Sequence, residues 1–478
     1  MIFISPVGGT MWGIKLHRNS EVPLTRQIYQ TLKEQITCGL ITAGEALPST
    51  RELAKQLAVS RNTVCEAYEM LLAEGYVLGR QGSLTRVVEG LYINKSSDSE
   101  LTEEASPPKR PVLADFRTGQ PDLRHFPRFQ WSQLLRKAYE EMPLSWLGYT
   151  GPEGLPRLRE EIAAWLFRSK GLTVCSKDIF ITAGATHALH LISELLCREG
   201  NGIVIEDPCH MGMLRVLRSK GYPVYPVPVD AQGLQTEYLE ERNAGAIYVT
   251  PSHQFPLGGI LPANRRTALI RFAREKGIYI VEDDYDSEFR YCGEPVAPLY
   301  FMDPQRVIYV GTFSKALFPA LRIGYAVLPP PLQTQWKYLR TYTDVQNPPF
   351  EQAALAEYLH SRKLDRYVQK MRRLYGERRH NLLYSLEAAF GKGWRPWGDA
   401  AGLHIALEFP GMRFDNEFAK KSKEFGIRIT PVDYHSICKG RHLDKMLLGY
   451  GHLEPDEISK GILLLREFMK ELCHNITT

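Results

Sequence analysis

Six short apolar runs in the middle of the chain constrain its fold more than any other feature. They are DIFIT (178–182), GIVIE (202–206), AIYVT (246–250), IYIVE (278–282), RVIYV (306–310) and GYAVL (324–328). Segments with apolar residues at helical spacing, such as THALHLISELL and RRTALIRFAREKG, lie between them. Strand and helix in alternation predict an α/β body built on a mostly parallel sheet. In such a sheet ligands gather beyond the carboxyl ends of the strands. The residues that follow the runs are therefore the first candidates for chemistry. Gly184, Ala185 and Thr186 follow the first run, and Asp207 and His210 the second. His253 follows the third, Asp283, Asp284 and Tyr285 the fourth, and Thr312, Ser314 and Lys315 the fifth.

Lys315 is the informative one. It stands between an apolar strand and the apolar, helix-like stretch ALFPAL, with no acidic neighbour in sequence to pair it. A lysine in an apolar pocket loses its proton more easily, because desolvation disfavours the charged form. A neutral amine can attack an aldehyde and form a Schiff base. An aldehyde cofactor with a phosphate and a basic ring nitrogen makes three further demands. Asp283 can keep the ring nitrogen protonated, and Tyr285 can donate to the ring hydroxyl. Gly184, Ala185 and Thr186, opening a helix, can cup the phosphate together with Thr312, Ser314 and Arg322. That cofactor is pyridoxal 5′-phosphate. A snorkelling lysine or a strand-end aspartate explains either residue alone. It does not explain both beside a glycine-opened helix and an arginine seven residues on.

The N-terminal part is separate. NKSSDSELTEEASPPKRP (94–111) is polar and holds one large apolar residue, Leu101, so it cannot bury enough surface to order itself and reads as a linker. Before it, Ile28, Leu32 and Ile36 have helical spacing, and Gly39 ends that helix. Ser49, with Glu52 three residues on, can cap a second helix. A third runs from about Arg61 to Glu74, with Val64, Ala67, Tyr68, Leu71 and Leu72 on one face and Gly75 as its stop. YVLGRQGSLTRVV then reads as two strands about a glycine turn. Helix, turn, helix and hairpin make a winged helix-turn-helix, whose second helix can enter a DNA major groove. Arg61 and Asn62 are suited to base edges, and Ser60 and Thr63 to phosphates. Arg51, and Arg80 beside the wing glycine Gly82, can hold the backbone.

Bulk properties decide less. Net charge is +5, and residues 11–90 hold nine Lys/Arg against eight Asp/Glu, so charge alone argues neither for nor against nucleic acid. The eight cysteines are scattered without metal or disulfide spacing, which fits a reducing compartment. No signal peptide and no apolar run of membrane-spanning length is visible, so the expectation is a cytoplasmic protein.

LPSTRELAKQLAVSRNTVCEAYEMLLAEGYV resembles the GntR-type winged helix in its L-P-S-x-R-x-L, V-S-R-x-T-V and A-Y-x-x-L-x-x-E-G pattern. The resemblance implies that Ser49, Arg51, Ser60, Arg61, Thr63 and Gly82 contact DNA. The body resembles fold-type I aminotransferases in its Ser-Lys with an arginine seven residues on, in DDYD, and in YTGPEGLPRLR. TPSHQFPLGG, which contains His253, stands where many of these enzymes have N-P-x-N-P-T-G. Tyr149 matches the tyrosine that reaches the phosphate of the neighbouring subunit, which implies a homodimer. The two halves together look like the MocR/GabR group of bacterial transcription regulators. This implies a DNA-binding domain at 14–88, a flexible linker at 89–112 and a pyridoxal-phosphate body at 113–478. The body would divide into a large domain at about 165–345 and a small α+β domain at about 346–478. It further implies double-stranded DNA as partner, read as paired half-sites by a domain-swapped dimer. The aminotransferase fold would then sense the cofactor or an amine effector and perform at most a half-transamination. The alternative is a working aminotransferase with an attached DNA-binding module.

Three positions depart from the pattern. Where an arginine usually takes the ligand carboxylate, this chain has His452. The residue expected to stack on the pyridine ring is His210 rather than an aromatic such as tyrosine, and Gly212 replaces a basic residue found in some relatives. An imidazole holds a carboxylate less firmly than a bidentate guanidinium. The effector is therefore expected to be a larger or differently anchored amine, or the cofactor itself.

Overall fold

The computed structural model describes residues 11–79, 84–89, 112–196, 201–239, 244–293, 296–398 and 400–477. Arg80, Gly82 and the polar segment 94–111 lie outside these. The chain divides into two compact units, Met1–Pro107 and Pro108–Thr478.

In the first unit, α1 (Leu24–Thr37), α2 (Thr50–Leu57) and α3 (Arg61–Ala73) are followed by the antiparallel strands β1 (Val77–Leu78) and β2 (Arg86–Val87). Ser49 Oγ accepts from the Glu52 amide at 3.2 Å, and Ser60 Oγ from the Thr63 amide at 3.1 Å, so a side-chain cap starts each of the two helices. Between them Ala58 takes the left-handed conformation, φ 51°, which makes the turn tight. Ile28, Leu32, Ile36, Leu53, Val64, Ala67, Tyr68 and Leu71 share one core with Val77 and Val87. Leu72 does not belong to that face. It is exposed, one residue past Leu71 and about 100° around the helix, so only its neighbour points inward.

The second unit begins with β3 (Ala114–Asp115), α4 (Arg128–Glu141) and α5 (Pro156–Lys170). Its sheet is then laid down as β4 (Ile179–Thr182), β5 (Gly202–Asp207), β6 (Val224–Asp230), β7 (Gly233–Leu234), β8 (Ala244–Val249), β9 (Tyr279–Asp284), β10 (Val307–Thr312) and β11 (Gly324–Val327). The order across the sheet is β4-β11-β10-β9-β8-β5-β6-β7. The pairs from β10 through β6 are parallel, and β11 and β7 run against their neighbours. α6 (Ala185–Leu196), α7 (Met211–Ser219) and α8 (Ala263–Lys276) alternate with the strands, and α9 (Pro330–Thr343) and α10 (Pro349–His360) follow.

Alternate residues of each strand enter two cores. Phe180, Ile205, Val281 and Ile308 pack with Leu189, Ile192, Met213 and Trp336, while Ile181, Val204, Ile280 and Tyr309 pack into the larger core on the other side. Burial on both faces is why these strands read as continuous apolar runs rather than as alternation.

Two elements differ from the sequence reading. β6 is a strand despite Pro226 and Pro228, which pair with Ile205 and Asp207. It lies beside the sheet edge, where only Val229 and Asp230 are paired on the outer side by β7, so the missing amide protons cost no ladder bond there. The stretch after Lys315 is not an α-helix. Pro319 forces Phe318 into an extended conformation (φ −155°, ψ 145°), and only one 3-10 turn, Pro319–Leu321, forms before Arg322 turns left-handed at φ 51°.

The C-terminal part holds α11 (Lys363–Phe390), β12 (Arg395–Trp397), β13 (His404–Glu408), α12 (Asn416–Glu424), β14 (Ile427–Arg428), β15 (Thr430–Pro431), β16 (Lys445–Gly449) and α13 (Pro455–Thr477). β12, β13, β16 and β15 form a four-stranded antiparallel sheet, and β14 pairs in parallel with β3. Among the described residues no helix is long and apolar enough to cross a membrane.

Candidate functional site

Lys315 lies three residues past the end of β10, in the crevice beyond the carboxyl ends of the parallel strands. It lines a cavity of about 380 Å³ together with Asp283, Tyr285, Thr312, Ser314 and Arg322. Its Nζ donates to the Gly119 carbonyl. Burial lowers the pKa of the amine, and the nearby carboxylates of Asp286 and Asp283 only partly oppose this.

Asp283 and Asp284 end β9 and, as strand neighbours, point to opposite faces. Asp283 faces the cavity. Its Oδ2 accepts from the Tyr248 hydroxyl at 2.7 Å, whereas Oδ1 is buried with no hydrogen-bond partner. Burial pushes this carboxyl up to about 7 against the Tyr248 hydrogen bond, and Asp284 and Asp286 add to the rise. A buried carboxylate oxygen without a donor is costly, so its presence marks a place where a cationic N–H belongs. Tyr285 Oη is 3.0 Å from His253 Nδ1, which lies 3.0 Å from Asp286 Oδ1.

The other end of the cavity is made for an anion. The amides at the start of α6 have no intrahelical partners and face outward at Ala185 and Thr186, both of which line the cavity. Gly184 precedes them with φ 90°, and a Cβ there would stand 3.0–3.2 Å from the Arg322 guanidinium, so only glycine admits both. Arg322 donates to the Ala183 carbonyl. Ser314 donates its amide to Thr312 Oγ1 at 3.2 Å, and the Thr312 hydroxyl donates to Ser314 Oγ at 3.0 Å.

The structure therefore gathers Lys315, Asp283, Tyr285, Arg322, Ala185, Thr186, His210, Thr312 and Ser314 around one cavity. Gly184 and His253 stand directly behind it. Tyr149 and His452 are not among its lining residues. Tyr149 is 89% exposed. His452 sits beside the backbone of Asp115, where burial lowers its pKa.

The pattern of bacterial regulatory proteins of the gntR family matches residues 24–87, and that of aminotransferase class I and II matches residues 115–441. The HTH-type pyridoxine biosynthesis transcriptional regulator PdxR of Corynebacterium glutamicum is 36% identical over 397 residues, covering 82% of this chain and 85% of its own. MocR of Rhizobium meliloti is 32% identical and covers 94% of each chain. The chain belongs to the MocR-type transcription regulators, a gntR-family DNA-binding unit joined to an aminotransferase class I and II body. Among solved structures, an archaeal alanine:glyoxylate aminotransferase superposes on this regulator with a TM-score of 0.70, at 27% identity over 75% of this chain and 91% of its own.

In the gntR unit of the regulator, Ser49, Arg51, Ser60, Arg61 and Asn62 are exposed at the starts of α2 and α3, and Thr63 is partly so. The Ser49 and Ser60 oxygens accept cap hydrogen bonds, and Arg61 Nε donates to Thr50 Oγ1 at 3.3 Å, which ties the two helix starts together.

Sequence reasoning missed Asp286, Tyr248, Gly119, Phe255, His404 and His435. Asp286 stands in the DDYD motif itself, and Tyr248 is a hydroxyl in an otherwise apolar strand, so both carried a signal. His404 and His435 lie in segments without a motif.

Proposed function

We propose that this regulator binds promoter DNA through its winged helix and holds pyridoxal 5′-phosphate at Lys315, so that the state of the cofactor site sets its affinity for DNA. The observation that carries this reading is the pairing, in one cavity, of the half-buried Lys315 amine with the buried, donorless Oδ1 of Asp283. A protonated pyridine nitrogen is the donor that oxygen lacks. Lys315 would hold the aldehyde carbon and Tyr285 the ring hydroxyl. The start of α6, with Arg322, Thr312 and Ser314, would hold the phosphate. When bound, the cofactor supplies an aldehyde for a ligand amine and an electron sink. The chain supplies a low-pKa amine and a carboxyl that keeps the ring cationic. His253 orients Tyr285 through its Nδ1 contact.

The 14–88 unit would read the operator and 89–112 would tether it to the body at 113–478. The regulator would act in the cytoplasm, where its DNA is. Binding to the region upstream of its own gene should change at least severalfold between cofactor-free and cofactor-loaded protein in a gel-shift titration. Equal affinity in the two states would refute the coupling. Arg61→Ala should weaken operator binding by roughly ten- to a hundredfold, the cost of about 1–3 kcal/mol for one bidentate base contact. Arg51→Ala should instead lower affinity for all sequences and flatten the salt dependence by about one charge.

The body would act as a homodimer. Leu144, Leu147, Tyr149, Tyr338 and Tyr342 are large and exposed on neighbouring segments, which Gln346 joins by accepting from the Thr150 amide at 2.6 Å and donating to the Gly148 carbonyl at 3.1 Å. An exposed apolar patch of this kind is suited to a second copy. Leu144→Glu combined with Leu147→Glu should move the protein from dimer to monomer in size-exclusion chromatography with light scattering.

A further inference from the structure

We propose that the ligand read by this cavity is an amine whose far end is uncharged and hydrogen-bonding, a hydroxyl or an amide, and not an amino acid. The inference rests on the cofactor seat described above and specifies what joins the cofactor there.

Among the described residues that line the cavity, only Lys315 and Arg322 are lysine or arginine. The first belongs to the aldehyde carbon and the second to the phosphate end. The remaining basic side chains are three imidazoles, His210, His404 and His435. They surround one ring. Phe255 has its centroid 5.6 Å from His210, 5.2 Å from His404 and 4.9 Å from His435.

Each imidazole is held in place and has hydrogen-bonding capacity to spare. His210 opens α7, and its Nδ1 is buried without a partner. A Cβ at Gly212 would come within 2.6 Å of the same ring, so the glycine at 212 is what lets His210 fold back against its own helix. His435 Nδ1 is also buried without a partner, in a ring set against the Cys209 backbone. His404 Nε2 lies 3.1 Å from the Pro256 carbonyl and must donate to it, which leaves Nδ1 as the acceptor.

Burial holds all three rings neutral, with His210 lowered to about 4 and His404 and His435 to about 3. Neutral rings match hydroxyl or amide groups one hydrogen bond at a time. They do not offset the desolvation of a carboxylate. Arg117, beside the lining residue Thr118, is already paired with Asp115 at 3.0 Å.

The test uses full-length protein saturated with pyridoxal 5′-phosphate and pairs of amines that differ only in carboxylate against hydroxymethyl. The pairs are glycine with ethanolamine, alanine with alaninol, and serine with serinol. Binding is read by calorimetry and by the visible absorbance of the bound cofactor. In at least one pair the amino alcohol should bind ten times more tightly or better, and none should favour the amino acid. His435→Arg should reverse the preference, because it places a guanidinium where the neutral ring stands. Equal or tighter binding of the amino acids to the wild type overturns the proposal. So does a loaded protein that responds to neither member of any pair. Failure to load the cofactor at all would instead sink the reading of the site itself, and the absorbance recorded before any amine is added separates the two outcomes.

Discussion

Replacement of Lys315 by alanine should abolish covalent retention of pyridoxal phosphate. After the wild-type protein is soaked with the cofactor, reduced with borohydride and digested, mass spectrometry should find the phosphopyridoxyl adduct on the peptide that contains residue 315. In Lys315→Ala it should find none there, and the visible absorbance of the soaked protein should be lost on desalting. The expectation follows from the environment of the amine. Burial lowers its pKa, with Asp286 and Asp283 in partial opposition, so a larger share is the neutral nucleophile at neutral pH than for a surface lysine. Exposed lysines elsewhere in the chain lack that advantage and the oriented cup at α6. The variant should fold, because the truncation removes one hydrogen bond to the Gly119 carbonyl and leaves room for water beside a partly open cavity. Asp283→Ala is the matched control. It should still allow an adduct at 315 but with weaker retention, since only the ring-nitrogen partner is lost. An adduct at another lysine, with none at 315, would show that the cavity does not hold this cofactor.

How much of this was legible in the sequence follows from how local each feature is. Ser49 and Ser60 cap helices that begin within three residues of them, so α2 and α3 could be read directly. The residues after each apolar run converge because parallel strands carry their carboxyl ends to one edge, and Asp283, Tyr285, Lys315 and the start of α6 meet there as expected. What could not be read depends on pairing across long separations. His404 reaches the cavity because β13 is held by β16 about forty residues later, with His404 opposite Gly449. His435 arrives on a 3-10 turn whose backbone carbonyl accepts from the Cys209 amide at 3.1 Å, a contact between two parts of the chain with no shared pattern. β6 was hidden because its prolines contradict strand propensity and are tolerated only by its place next to the edge. Leu72 shows the converse: an apolar residue one step from buried Leu71 lies about 100° around the helix and faces solvent, although apolar character alone groups the two.

Lys170→Met should destabilise the body more than any surface change, by about 3–5 kcal/mol, the cost of leaving buried carboxylates without their cation. Lys170 closes α5 and extends beneath the sheet, with its amine 2.8 Å from Asp284 Oδ2 and 3.1 Å from Glu288 Oε1. All three side chains are less than a tenth exposed. Burial tends to raise the Asp284 carboxyl, but the Lys170 charge and hydrogen bond, with the Ser287 and Tyr309 hydroxyls, hold it below its ordinary value. A carboxyl depressed in the folded state contributes stability that is present above its unfolded pKa, about 4, and is lost as pH falls through the folded value. Without Lys170 the same burial raises Asp284 instead, and the penalty of keeping it charged vanishes once it is protonated. The deficit of the variant should therefore be largest near neutral pH and shrink as pH approaches about 4. Urea titrations of wild type and variant at neutral and acidic pH measure both quantities. Adding Asp284→Asn to Lys170→Met should recover part of the loss, because it removes one buried charge and keeps partners for the Tyr309 and Ser287 hydroxyls. If the single variant unfolds at the wild-type urea midpoint at neutral pH, the amine is not the counterion of this strand end. The opposite faces of Asp283 and Asp284 would then no longer explain why one carboxyl is raised to about 7 for the cavity while its neighbour stays charged beneath the sheet.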